Sequence, residues 1–151
     1  MVFEQQVPIA APADSVYAFI ADVPRMAQCL PGLEAVRETG DGTYAGALSV
    51  TVGPVSVRLE GKLRLAERDP AARTTKLVVE ATDRRIRSSV SSTTRMEAVA
   101  AGDATELRVH TDAAILGKLG QLGQAVLRKK TDQLLAQFAA NMAAALAEAR
   151  P

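Results

Sequence analysis

The last quarter of the chain, from Leu116 to about Ala149, has no proline and the longest run of strong helix formers, mostly Ala, Leu, Gln and Lys. It predicts a helix over Gln124–Ala149, roughly 39 Å long at about 1.5 Å per residue. The stretches before it alternate apolar and polar residues and predict strands, typically about 17–20 Å long. A helix of that length can cross a whole sheet, so the simplest arrangement is a sheet curled around it. Nearly half the residues are apolar, yet the chain has no Trp, three Phe and two Tyr. Its core must therefore be built mainly from Val, Leu and Ala.

Val2, Phe3, Val7 and Ile9 predict a first strand. Pro12 suits the first turn of a helix with Ala11 near the N-cap, and Val16, Tyr17, Phe19 and Ile20 give it an apolar stripe. Asp22 can cap a second short helix over Arg25–Cys29, which Pro31-Gly32 ends. Leu33 and Val36 predict a short strand, and Gly40-Asp41-Gly42 a turn. Tyr44, Gly46, Leu48, Val50 and Val52 then share one face, with Ala45, Ala47, Ser49 and Thr51 on the other. Val52-Gly53-Pro54-Val55 reads as a tight reversal. The next strand points Val55, Val57, Leu59, Gly61, Leu63 and Leu65 inward and Ser56, Arg58, Glu60, Lys62 and Arg64 to water.

Thr75–Thr82 predicts another strand. Asp83–Ala98 is compatible with a strand but places hydroxyls on both faces, with Ile86, Val90 and Met96 marking its inner side. In the last strand Leu107, Val109 and Thr111 alternate with Glu106, Arg108, His110 and Asp112. The order is strand, two short helices, five or six antiparallel strands and one long helix. That grouping is α+β, and with no linker or repeat it predicts a single domain over 1–151.

Several function classes are set aside at this level. The net charge is +1, so global charge does not point to nucleic acid. No apolar run approaches the ~18 residues of a membrane span. Met1–Gln6 turns polar at once, so no signal peptide is expected, and a cytoplasmic protein is. His110 lies among outward charges on an edge-like strand, and Cys29 beside Leu30 reads as a small buried hydrophobe. One His and one Cys cannot complete a zinc site, and Gly117, Gly120 and Gly123 do not form a phosphate loop. No catalytic residue, metal site or covalent cofactor is expected.

Three local stretches carry a family resemblance: Cys29-Leu30-Pro31-Gly32-Leu33-Glu34, Val52-Gly53-Pro54-Val55, and Leu116-Gly117-Lys118-Leu119-Gly120-Gln121-Leu122-Gly123 with the later Gln137-Phe138 pair. In this order they resemble the G-subunit family of carbon monoxide dehydrogenase, within the START-like helix-grip superfamily. The resemblance implies a curved antiparallel sheet of six to seven strands around the C-terminal helix, with two short helices after the first strand. It implies an accessory protein of a molybdenum hydroxylase such as carbon monoxide dehydrogenase, peripheral on the cytoplasmic membrane. It also implies a cavity for an apolar ligand, a quinone, isoprenoid or other lipid. One stretch departs from the family: Arg84-Arg85-Ile86-Arg87-Ser88-Ser89 stands where the family is usually glycine-rich.

The expected cavity between sheet and helix is lined by Phe19, Tyr44, Leu48, Val50, Val57, Leu59, Val90 and Val109. Its rim draws on Leu30, Pro31, Gly32, Gly53, Pro54, Leu119, Leu122, Gly123, Val126 and Leu127. Few large aromatics fill the space, and Gly46 and Gly61 fall on inner faces. A long apolar ligand gains roughly 0.8 kcal/mol per buried methylene, so a dry groove can bind it. Ser88, Ser92 and Thr94 offer hydroxyls to a polar head.

On a helical wheel Leu116, Leu119, Leu122 and Val126 form one stripe, and Leu134, Leu135, Phe138, Met142 and Ala145 another, rotated by roughly 90–120°. Lys130, Gln133, Gln137 and Asn141 continue the first stripe's line. The glycines make the first part a candidate lid. Exposed Leu119 and Leu122, beside Lys118, Arg128, Lys129 and Lys130, make it a candidate contact with membrane or partner. Two other readings stand beside the carrier: a ligand-free scaffold that docks a hydroxylase to the membrane, and a cyclase-type enzyme on the same fold.

Overall fold

The computed structural model describes residues 1–148; the predicted helix end at Ala149 lies outside them. Seven strands form one antiparallel sheet in the order β1-β7-β6-β5-β4-β3-β2. They are β1 (Val2–Ile9), β2 (Leu33–Gly40), β3 (Thr43–Val52), β4 (Val55–Asp69), β5 (Thr74–Asp83), β6 (Ser88–Ala101) and β7 (Ala104–Leu116). Consecutive strands from β2 to β7 are joined locally, as antiparallel neighbours permit. The long-range pairing is β1 with β7, from Val2↔Asp112 to Ile9↔Thr105. The chain therefore starts on one edge and must cross to the other. Two short helices, α1 (Ala13–Ile20) and α2 (Val23–Ala27), make that crossing. The long helix α3 (Gln124–Glu148) runs beside β1 and reaches β3. The architecture is α+β, a curved sheet gripping one C-terminal helix.

Local chemistry explains the boundaries. Pro12, whose missing N–H is not needed there, stands at the N-cap of α1, one residue later than expected. Asp22 caps α2, accepting from the Arg25 N–H at 3.3 Å, so α2 begins at Val23 rather than Arg25. Arg25 lies over the Phe19 ring, 4.6 Å from its centroid, and ties the two short helices together. The reversal at Gly53-Pro54 falls where expected, with Gly53 at φ +56°. The strand carrying His110 is not an edge: β7 lies between β1 and β6.

The inward faces follow the alternation, with one exception. Ala47, on the outer face of β3, is buried. Its cross-strand neighbours are Glu34 and Glu60, and Arg58 pairs with both carboxylates, so a charged network covers the small side chain. The inner glycines do not open space for a ligand. A Cβ on Gly61 would lie 2.0 Å from the Glu80 carbonyl oxygen, and one on Gly46 would lie 3.2 Å from a Val36 methyl. These two glycines face each other across β3 and β4, where close backbone approach lets the sheet bend.

The stretch before α3 differs most from the helical reading. Leu116 ends β7, Gly120–Leu122 is a single 3-10 turn, and α3 starts at Gln124. Leu116, Leu119, Leu122 and Val126 therefore do not form one helical stripe. Gly117 sits at φ +79° with its α-carbon against the chain at Arg87, where a Cβ would lie 1.7 Å from the carbonyl oxygen. The Leu119 N–H donates to Ser88 Oγ at 2.9 Å, and Leu119 is buried. Glycine here permits a tight anchor rather than a loose lid. The Gly117→Ala variant should lose more than about 1 kcal/mol, because both φ and space forbid a side chain. Thermal melting would show a drop of at least roughly 2–4 °C. An unchanged melting temperature would show that the anchor does not hold.

Candidate apolar binding cleft

The buried residues divide into two clusters. One gathers Ile9, Val16, Phe19, Ile20, Leu107 and Val109 under α1 and the C-terminal half of α3, through Phe138, Met142 and Leu146. The other gathers Phe3, Val52, Val55, Val57, Ala113, Leu119 and Leu127 at the opposite end. Leu48, Val79, Ala81, Ser92, Thr94 and Thr111 face inward between them and belong to neither core, and all are half-buried. Tyr44, Val50, Leu59, Leu63 and Val90 flank this strip and are likewise half-buried. Inward apolar side chains that keep part of their surface open leave a floor that a further apolar body can cover.

The residues expected to line a cavity fall into three groups. Phe19, Val57, Val109, Leu119 and Leu127 are fully buried and build the two ends. Leu30, Pro31, Tyr44, Leu48, Val50, Leu59, Val90, Leu122 and Gly123 are half-buried. Gly32, Gly53, Pro54 and Val126 are exposed at the rim. The reversal and the start of α3 come together: a Cβ on Gly53 would lie 3.5 Å from a Val126 methyl. The loop before β2 is held from both sides. The Ser49 N–H donates to the Gly32 carbonyl at 2.9 Å, and Asn141 Nδ2 on α3 donates to the Cys29 carbonyl at 2.9 Å.

The polar groups divide between scaffold and floor. Ser88 is committed to the scaffold: its Oγ accepts from Leu119 and donates to the Ile86 carbonyl at 3.3 Å. Ser92 and Thr94 face the strip, and the Thr94 hydroxyl lies 3.0 Å from that of Thr111. Sequence reading missed Thr111 as a partner because only the β6–β7 register places it opposite Thr94. Burial, then the Glu38 carboxylate, raises the Tyr44 pKa, so its phenol stays neutral and able to donate. Burial likewise raises the Cys29 thiol, partly offset by Arg25, which keeps it protonated. Cys29 and His110 lie on opposite sides of the sheet: Cys29 packs in the inner core, and His110 bonds Glu4 on the outer face at 3.0 Å.

Two open grooves also mark the outer face. One, of about 750 Å³, is lined by Glu4, Gln6, Arg95, Arg108 and His110, and the other, of about 440 Å³, by Ser91, Thr93, Arg95 and Asp112. Their charged walls do not suit an apolar body, so the inner strip is the better site.

Basic residues gather at one end of the sheet. Arg84, Arg87, Lys118, Arg128 and Lys129 are exposed, and Lys130 is half-buried. None of these six enters an ion pair among the described residues. The exposed large apolar residues Met1, Val2, Leu116 and Val126 lie at the same end, with Leu116 63% exposed. Leu119 is buried and Leu122 half-buried, so the apolar contact expected from them falls instead to Leu116 and Val126.

Asp83 holds this end together. Its buried carboxylate accepts from Arg85 Nη2 at 2.9 Å, the Arg85 N–H at 3.1 Å and the Arg58 N–H at 2.8 Å. The Arg85 guanidinium first, then these backbone donors, hold its pKa down at about 2 from the usual 3.8. A lowered carboxylate pKa stabilises the fold above the unfolded value and loses that contribution as pH falls through the folded one. The Asp83→Asn variant should therefore melt below wild type at neutral pH. The gap should close between about pH 4 and pH 2, read by thermal melts across that range. A gap independent of pH would show that the charge contributes nothing.

Comparison with known proteins agrees with this geometry. A model of the family described as the G subunit of carbon monoxide dehydrogenase (CoxG) matches residues 6–147. No curated protein matches the sequence. A conserved protein from Geobacillus kaustophilus has a similar structure, with a TM-score of 0.88 at 16% identity over 98% of this chain and 96% of that one. A START superfamily protein from Mycobacterium smegmatis gives a TM-score of 0.67 at 13% identity over 99% of both chains. The Zhui aromatase/cyclase from Streptomyces sp. R1128 gives 0.56 at 23% identity, over 96% of this chain and 90% of that one. At these identities the likeness establishes a START-like fold.

Proposed function

We propose that this chain, which belongs to the G-subunit family of carbon monoxide dehydrogenase, is a non-enzymatic accessory protein that holds a long apolar molecule between its sheet and α3. The observation that carries the reading is the half-buried apolar strip between two closed clusters. Leu48, Val50 and Leu59 provide its floor, and the hydroxyls of Ser92, Thr94 and Thr111 accept or donate to one polar group. A quinone or another isoprenoid lipid has this mixture of long body and hydrogen-bonding head. The family name supports service to a molybdenum hydroxylase such as carbon monoxide dehydrogenase.

The basic end is the membrane contact in this reading. Each Lys or Arg near an anionic surface contributes about 1 kcal/mol, and the exposed Leu116 and Val126 add apolar contact between them. The protein would work in the cytoplasm, peripheral on the cytoplasmic membrane, exchanging its cargo with lipid. A cyclase reading needs paired acid and base groups on the strip; its inward polar groups are hydroxyls, with the neutral Tyr44 at its margin.

Native mass spectrometry and organic extraction of the purified protein should reveal a bound quinone or lipid. Substitution Leu48→Asp should weaken uptake at least about tenfold, since losing one apolar contact of roughly 1.5 kcal/mol already accounts for that. Flotation with anionic vesicles should fail for a Lys118→Glu, Lys129→Glu double variant. A protein that takes up neither quinone nor lipid, yet still floats, would replace the carrier with a ligand-free scaffold.

A further inference from the structure

The wall of the strip formed by α3 is polar along one line. Val126, Lys130, Gln133, Gln137 and Asn141 fall within roughly 80° of one another at about 100° per residue. The two ends of this line are fixed by contacts already described: Val126 meets the β3–β4 reversal at Gly53, and Asn141 bonds the loop before β2. Between them the line spans roughly 22 Å at about 1.5 Å per residue. It faces the β3 side of the sheet and therefore borders the opening over Leu48 and Val50.

Lys130 is the one charged residue on that line. It is half-buried, whereas its neighbours Arg128 and Lys129 are exposed. A lysine of that burial lays its methylene stem along apolar surface and keeps its ammonium at the edge. No carboxylate answers it among the described residues. Asp132 sits on the opposite flank of α3, bound to Gln5 Nε2 at 2.9 Å, and Glu34 pairs with Arg58 on the outer face. The inward faces of β3 and β4 carry no acidic side chain. The opening thus combines an apolar floor, neutral amides and one unanswered cation.

We propose that Lys130 selects a cargo with an anionic end, a long-chain amphiphile whose carboxylate rests at the opening while its hydrocarbon lies along the strip. This rests on the carrier reading and sharpens it, since a neutral lipid would leave the ammonium without a partner. A charge-assisted hydrogen bond from Lys130 to the carboxylate would fix the direction in which the chain enters. Gln137 and Gln133 extend from the same line and can donate to the second carboxylate oxygen.

The test compares oleate, oleyl alcohol and methyl oleate, each below its aggregation threshold, by titration calorimetry on wild type, Lys130→Gln and Lys130→Arg. Wild type should bind oleate about tenfold more tightly than the two neutral molecules. Lys130→Gln should erase the difference by weakening oleate alone, and Lys130→Arg should retain it. Equal binding of oleate and oleyl alcohol by wild type would overturn the proposal and leave the carrier reading standing. So would a preference that survives Lys130→Gln. Flotation of the same variants with phosphatidylglycerol vesicles separates free cargo from a lipid surface. Loss of flotation without loss of oleate preference would assign Lys130 to the membrane and overturn the proposal. If none of the three molecules binds any variant, the carrier reading itself fails.

Discussion

The fold turns on the attachment of the Gly117–Leu119 segment to the corner between β5 and β6. Gly117 presses against the Arg87 carbonyl, the Leu119 N–H is captured by Ser88, and Asp83 holds the corner through Arg85 and Arg58. These contacts decide where the chain leaves β7, and so where α3 begins. Had the helix run back to Leu116, its axis would continue from the sheet edge instead of turning over the inner face. The 3-10 turn and Gly123, at φ +89°, make that change of direction within a few residues. The register of α3 over the strip, and hence which residues face β3, follows from this corner.

That register also explains why the core is divided. The C-terminal half of α3 packs Phe138, Met142 and Leu146 against α1 and the ends of β6 and β7. Its first turns pack Leu127 against the β3–β4 reversal and Phe3. A straight helix over a curved sheet can touch it closely at two places and stands off between them. Alanine and valine on the inner strands are too short to fill such a gap, and the chain has no Trp to do so. The glycine pair Gly46 and Gly61 contributes to the curvature that creates the gap, not to the volume inside it. The open floor is thus a consequence of helix length, sheet bending and a core poor in aromatics.

Most of the architecture was legible because it rests on local period. Alternation located the inward faces of β3, β4 and β7, and the turn residues located each reversal. The start of α3 at Gln124 was legible too, as the first point where strong helix formers run without glycine. What misled was spacing without context. Leu116, Leu119, Leu122 and Val126 have helical intervals, but a positive φ at Gly117 and a hydrogen bond to a residue 31 positions away break the helix. No local pattern carries that information. The burial of Ala47 was equally hidden, because the charges that cover it come from two neighbouring strands. The division of candidate site residues into closed ends and an open floor needed the sheet's curvature, which pairing alone does not state.

The polar line along α3 shows how one pattern changes meaning once its surroundings are known. In sequence, Lys130, Gln133, Gln137 and Asn141 continue a stripe of leucines and look like a face that has merely turned to solvent. In the structure the leucines are not part of the helix, and the line begins instead at Val126, beside the β3–β4 reversal. Asn141 does not face bulk water alone; it fastens the helix to the loop before β2. A line anchored at both ends and borne over half-buried leucine and valine is the edge of an opening. Solvated residues on such an edge are free to be chosen for what passes beneath them, whereas those on the far flank, such as Asp132 bonded to Gln5, hold the helix to β1. The two flanks of α3 therefore divide the work: one secures the helix to the sheet's first strand, and the other meets the cargo.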